Sequence, residues 1–148
     1  MVARPVRLLL AEDDENDAVF LARAFLKAGV SVPVERVSDG VEAVNRLTNA
    51  GLPGITHLLL DLKLPLKSGL EVLEWLSGRV LCDVRVAILS SSRVEEDVRR
   101  AYELGAEFYL VKPARTSDLV TICRQLGEWV GRDARPALSA DVLLPRPG

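Results

Sequence analysis

At 148 residues the chain has the size of one domain and is long enough to bury a sizeable core. Hydrophobic residues make up 49% and charged residues 27%, an ordinary balance for a soluble globular protein, and the formal net charge of −2 lacks the basic field on which nucleic-acid binding depends. No run approaches the ~20 apolar residues of a membrane span, and Met1-Val2-Ala3-Arg4-Pro5 leads into a strand-like run rather than a signal segment. A cytoplasmic protein with neither membrane nor nucleic acid as partner is therefore expected. Cys82 and Cys123 have no metal-like spacing, sit among apolar residues, and read as small buried hydrophobes.

Short apolar runs alternate with helix-period segments along the chain. Residues 6–11 form a nearly continuous apolar run, as in a central strand covered on both faces. A stripe of Ala18, Leu21, Ala22 and Phe25 follows, stopped by Gly29. The next run, residues 34–37, is shorter and more polar, which places it at a sheet edge. Residues 40–50 read as a short helix, and His57-Leu58-Leu59-Leu60 as a second central strand. A helix over 69–77 is opened by Gly69 and followed by Gly78. Residues 84–89 make a fourth strand, and Val94, Val98, Ala101 and Tyr102 a further helical stripe closed by Gly105. The fifth strand is Phe108-Tyr109-Leu110-Val111, and the last stripe is Leu119, Ile122, Cys123, Leu126 and Val130. From Gly131 onward, Pro136, Pro145 and Pro147 interrupt a small-residue stretch. The expectation is thus a folded domain over 5–130 and a flexible tail over 131–148, although Val142-Leu143-Leu144 could pack somewhere.

Five strands alternating with five helices imply right-handed crossovers and a doubly wound α/β fold with a five-stranded parallel, flavodoxin-like sheet. Ligands of such sheets bind beyond the carboxyl ends of the strands, where the strand order reverses. Glu12-Asp13-Asp14 follow the first strand and Asp61 ends the third. Two carboxylates ~5 Å apart repel by about 3 kcal/mol at an effective dielectric of 20, so a cation between them is favoured. Oxygen ligands without His or Cys point to Mg²⁺ or a similar hard divalent ion. Taken alone, the acidic trio could equally serve the positive end of a helix dipole, with Asp14 or Glu15 near the cap, and Asp61 could be a turn-former. The fourth strand ends in Ser90-Ser91-Ser92, where Ser92 suits a capping role better than Ser90. The fifth ends in Lys112-Pro113, whose ammonium can neutralise a phosphoryl group and whose peptide bond, if cis, would aim it.

This set, in this order, resembles the receiver domains of bacterial response regulators over roughly residues 5–130. The resemblance implies that Asp61 is the phosphoacceptor and that Mg²⁺ is held by Asp13, Asp61 and the Lys63 carbonyl, with Glu12 acting through water. Pro65 and Gly69 match the loop after the acceptor. Ser90 matches the switch hydroxyl in place of the commoner Thr, Tyr109 the aromatic that turns inward on phosphorylation, and Lys112-Pro113 the lysine with its cis proline. It further implies a phosphoryl donor that is a sensor histidine kinase, and a response carried by the surface of the fourth helix, fifth strand and fifth helix. A homodimer through that same face is expected. The chain would catalyse only its own phosphorylation and dephosphorylation, and Lys63 and Ser92 occupy positions that tune the latter. The stretch 101–113 and Leu126-Gly127-Glu128-Trp129 are similar to stand-alone regulators associated with phytochrome-type kinases, so a bacteriophytochrome is the expected type of donor. Trp129 is expected to cover the core edge rather than form a dimer contact.

Rival readings fit less well. A haloacid-dehalogenase-like phosphatase needs a second Asp two residues after its nucleophile, where this chain has Lys63. A nucleotide-binding module needs a phosphate-cradling glycine loop after the first strand, where this chain has acids. A scaffold or phosphate sink without output remains the alternative within the same family. His57 precedes a strand rather than lying on a helix face, which suits a structural role over phosphoryl transfer.

Overall fold

The computed structural model describes residues 5–48, 54–79 and 83–148; Cys82 and the last two residues of the helix expected over 40–50 lie outside them. The elements run β1 (Leu8–Ala11), α1 (Glu15–Lys27), β2 (Val34–Val37), α2 (Gly40–Thr48), β3 (His57–Leu60), α3 (Gly69–Ser77), β4 (Arg85–Ser90), α4 (Glu95–Glu103), β5 (Phe108–Val111), α5 (Thr116–Arg132) and β6 (Leu143–Leu144). The sheet order is β2-β1-β3-β4-β5-β6. β1 pairs with β2 and β3, β3 with β4 and β4 with β5, all parallel. The order therefore reverses between β1 and β3, and their carboxyl ends open onto a common crevice.

Alternation along the strands sorts the core into two layers. Leu9, Leu58, Leu60, Val86, Ile88 and Tyr109 face Ala43, Val72, Leu73, Val98 and Ala101 of α2, α3 and α4. Leu8, Leu10, Leu59, Ala87, Phe108 and Leu110 face Leu21, Phe25, Ile122, Cys123 and Leu126 of α1 and α5. Both faces of the inner strands are thus covered, which is why they read as unbroken apolar runs. Two residues leave the expected stripes: Ala22 is exposed while Ala24 is buried, and Val94 is an exposed N-cap of α4. Gly29, at φ +74°, ends α1 in a left-handed conformation that suits glycine.

The five-stranded sheet and flexible tail expected from sequence are both amended by β6. Leu143 and Leu144 pair antiparallel with Leu110 and Tyr109. The Val111 amide donates to the Val142 carbonyl at 2.8 Å, the Tyr102 hydroxyl to the Leu144 carbonyl at 2.5 Å, and Arg93 to the Asp141 carbonyl at 2.9 Å. Leu144 packs on one core layer while Leu138, Val142 and Leu143 pack on the other. The physical reason is the unpaired outer edge of β5, whose amides and apolar flanks reward even a two-residue strand.

Trp129 is 1% exposed and lies edge-on to His57 at 4.8 Å and to Phe108 at 5.4 Å between centroids. It belongs to the core. His57 is buried beside it, with Nδ1 2.8 Å from the Thr56 hydroxyl. Burial pushes the Cys123 thiol up to about 12, so it stays protonated and inert.

Candidate functional site

Four strand ends deliver side chains to the crevice. Beyond β1, the carboxylate of Glu12 is 1% exposed and turns back to accept the Asp14 amide at 3.1 Å. Asp13 is exposed at the mouth of the crevice, while Asp14 caps α1 by accepting the Asp17 amide at 2.9 Å. The acidic trio therefore divides its work: one residue is the cap and two face the crevice. Beyond β3, Asp61 is 5% exposed and its Oδ1 accepts the Lys63 amide at 3.1 Å. The loop is braced by Gly69, whose amide donates to the Leu62 carbonyl at 2.9 Å. A Cβ on Gly69 would overlap the backbone of Asp61 and Leu62, so only glycine lets α3 start this close to the acid. The Ser68–Glu71 capping box fixes that start, with Ser68 Oγ accepting at 3.2 Å and Glu71 Oε1 at 3.1 Å.

Lys112, beyond β5, crosses to the same point. Its Nζ lies 2.7 Å from Asp61 Oδ2, 2.9 Å from Asp17 Oδ2 and 2.6 Å from Glu12 Oε1, the last a close ion pair outside good hydrogen-bond angles. Burial works against the ammonium, but its bonds to Asp61, Glu12 and Asp17 outweigh it and hold its pKa above the usual lysine range. Glu12 moves the other way for an acid: burial and the charge of Asp61 raise it to about 7, against the pull of Lys112. Oxygens of Glu12, Asp13 and Asp61 all lie within 4.8 Å of one another. Three hard carboxylate donors, one of them with a raised pKa, fit a divalent cation of the Mg²⁺ or Mn²⁺ type.

The expected cis Lys112–Pro113 bond is corrected, since there are no cis peptide bonds among the described residues. Aim comes instead from the strand end: the Lys112 amide donates to the Ser90 carbonyl at 2.9 Å, extending the β4–β5 ladder. Trans is also the lower-energy form of an X–Pro bond. Ser90 is fully buried, and its Oγ accepts the Ser92 amide at 3.3 Å. Ser92 is the residue that braces α4, donating to Asp97 at 2.7 Å and accepting the Val94 amide at 3.3 Å. Tyr109 is 0% exposed, and its hydroxyl donates to the Ser92 carbonyl at 2.8 Å. The ring expected to turn inward on phosphorylation is thus already inside here, held by a hydrogen bond to the β4–α4 loop.

The sequence does not single out Asp17. Its spacing, four residues after Asp13 in the first turn of α1, is what a dipole-favouring acid shows, and nothing in the sequence separates the two roles. Only the fold puts it against Lys112. Asp17 and Lys112 also line a cleft of about 190 Å³ with Phe20, Pro113, Arg115 and Leu119.

A doubly wound parallel sheet whose carboxyl edge gathers a strand-terminal aspartate, an acidic pair and a lysine defines the receiver class of signalling domain. The chain belongs to the response regulator receiver domain family, which matches residues 8–124. It is a receiver of two-component signalling. Among its relatives, the probable methanogenesis regulatory protein FilR2 of Methanothrix harundinacea is 34% identical over 137 residues, covering 89% of this chain and 88% of that one. The Mn²⁺-bound form of response regulator Rcp1, a protein of Synechocystis sp., has a TM-score of 0.80 at 28% identity, covering 90% of this chain and 100% of that one. The phosphorylated cyanobacterial phytochrome response regulator RcpA has a TM-score of 0.80 at 29% identity, covering 95% and 99%. No helix among the described residues is long and apolar enough to cross a membrane.

Proposed function

We propose that the chain accepts a phosphoryl group on Asp61 from the phosphohistidine of a sensor kinase, with Mg²⁺ held by Glu12, Asp13, Asp61 and the Lys63 carbonyl. The observation that carries this reading is the convergence of Lys112 Nζ on Asp61 Oδ2 at 2.7 Å, inside an acidic pocket at the sheet's switch point. An Asp61 oxygen attacks phosphorus in line; the P–N bond to imidazole breaks, an acyl phosphate forms, and the imidazole leaves with the bonding pair. Lys112 stabilises charge on the phosphoryl oxygens, and the cation supplies further neutralisation of the same charge. The Lys63 amide, already bonded to Asp61 Oδ1, keeps the carboxylate oriented.

Ser90 is the hydroxyl that answers the phosphoryl group, and its movement is transmitted through the Ser92 amide bonded to it. Tyr109, buried on β5, is tied to the same loop by its bond to the Ser92 carbonyl, and the surface of α4, β5 and α5 is the output face. Because β6 pairs along the outer edge of β5, a homodimer on this face uses the flanks of α4 and α5 rather than the bare strand. RcpA is a phytochrome response regulator, and the likeness to it supports a phytochrome-type kinase as donor. The domain works in the cytoplasm, where such kinases present their phosphohistidine, and it transmits a signal rather than turning over a substrate.

Acetyl phosphate with Mg²⁺ is expected to add one phosphoryl group, read by intact mass, and Asp61→Asn to abolish the gain. A mass gain that survives Asp61→Asn overturns the assignment. Light scattering with and without beryllofluoride reads the dimer, and a monomer in both states refutes it.

A further inference from the structure

The Lys112 ammonium meets acids from three different elements: Glu12 after β1, Asp61 after β3 and Asp17 on α1, at 2.6, 2.7 and 2.9 Å. Two of these partners belong to the acidic trio that fits a divalent cation; Asp17 does not. The ammonium and a cation therefore draw on the same two carboxylates, whose other oxygens already accept the Asp14 and Lys63 amides. Asp17 differs from its two rivals in position. Its side chain is 41% exposed, against 1% for Glu12 and 5% for Asp61, and it stands in the cleft beside the pocket. An ammonium drawn toward Asp17 moves out from between the buried acids and keeps a full charge partner as it goes.

We propose that Asp17 is a positioning residue for Lys112: it holds the ammonium at the mouth of the pocket when a divalent cation takes the oxygens of Glu12 and Asp61. This rests on the receiver reading of the site. Without Asp17, the ammonium has no partner but the acids the cation needs, and it becomes a stronger competitor. A plain surface acid would also attract a cation, but it would do so whether or not Lys112 were present. That difference makes the two roles separable by a double-mutant cycle.

The test measures Mn²⁺ binding to the full chain by the electron paramagnetic resonance signal of the free ion, with no phosphoryl donor present. Asp17→Asn is expected to weaken binding about tenfold, the lower end of what outer partners of metal ligands cost. In a Lys112→Ala background the same substitution is expected to change affinity by less than about twofold, and Asp17→Glu to restore wild-type affinity. An equal loss in both backgrounds, or no loss in either, overturns the proposal. If Lys112→Ala loses its native circular dichroism, Lys112→Met keeps the aliphatic stem and takes its place in the cycle. A wild-type chain that binds no Mn²⁺ brings down the receiver reading as well; one that binds it normally while Asp17 behaves additively brings down this inference alone.

Discussion

Protonation of Glu12 makes the fold's stability depend on pH in a direction opposite to that of most carboxylates. Glu12 is 1% exposed, and burial first, then the neighbouring charge of Asp61, raises its pKa from 4.5 to about 7. In the unfolded chain it releases its proton near 4.5, so between the two values the native state binds more protons than the unfolded one. Stability from this group is then fully present below pH 4.5 and is lost as pH rises through about 7. The difference is worth about 3 kcal/mol, or roughly 10 °C of melting temperature for a chain this size. Because the Glu12 carboxylate touches the Lys112 ammonium, the quantity to read is a difference between proteins. Thermal melts in EDTA at pH 5 and pH 8 are expected to show a larger fall for wild type than for Glu12→Gln, by about that amount. Added Mg²⁺ is expected to restore most of the loss at pH 8 in wild type, because a cation binds the ionised acid. Equal pH slopes for the two proteins in EDTA would refute the argument, since the buried acid would then carry no excess proton.

Truncation after Ser139 removes β6 and is expected to speed hydrogen exchange of the Val111 amide, which now donates to Val142 at 2.8 Å. An unchanged rate would mean that β6 does not protect the β5 edge. Trp129→Ala empties a site that is 1% exposed and is expected to cost about 3–5 kcal/mol in urea unfolding without changing Mn²⁺ affinity. Gly69→Ala drives a methyl into the backbone of Asp61 and Leu62, so acetyl phosphate labelling is expected to fall more than ten-fold, while a melt reports a loss of about 1–3 kcal/mol. Labelling at the wild-type rate would show that the loop tolerates the displacement.

Much of the site was legible because strand ends converge in a doubly wound sheet. Residues 57–60 form a buried strand by their apolar pattern, which places Asp61 at its carboxyl end and the Glu12-Asp13 pair at the end of the neighbouring strand. Gly69 marks the helix start by local chemistry alone, and the Ser68–Glu71 capping box seen in the structure carries a local signature of the same kind. What stayed hidden depended on contacts between distant segments. Asp17 reads as a first-turn acid until α1 is laid beside β5. The Lys112–Pro113 bond has both isomers open to it in sequence, and the strand ladder at Ser90 supplies the aim without the cis form.

The sequence by itself determined the alternation of strands and helices, which faces of the inner strands are buried, and which strand-end acids meet at the sheet's edge. All of that follows from periodicity and from short-range backbone preferences. Tertiary structure alone decided the fate of residues 131–148 and of Tyr109. A two-residue strand followed directly by Pro145 has little local signal, and it forms because β5 offers unpaired amides and an apolar border on both faces. The orientation of the Tyr109 ring is set by the Ser92 carbonyl, which comes from the loop after another strand. Local sequence can specify an element, but a partner brought from far along the chain specifies where a side chain or a terminal segment comes to rest.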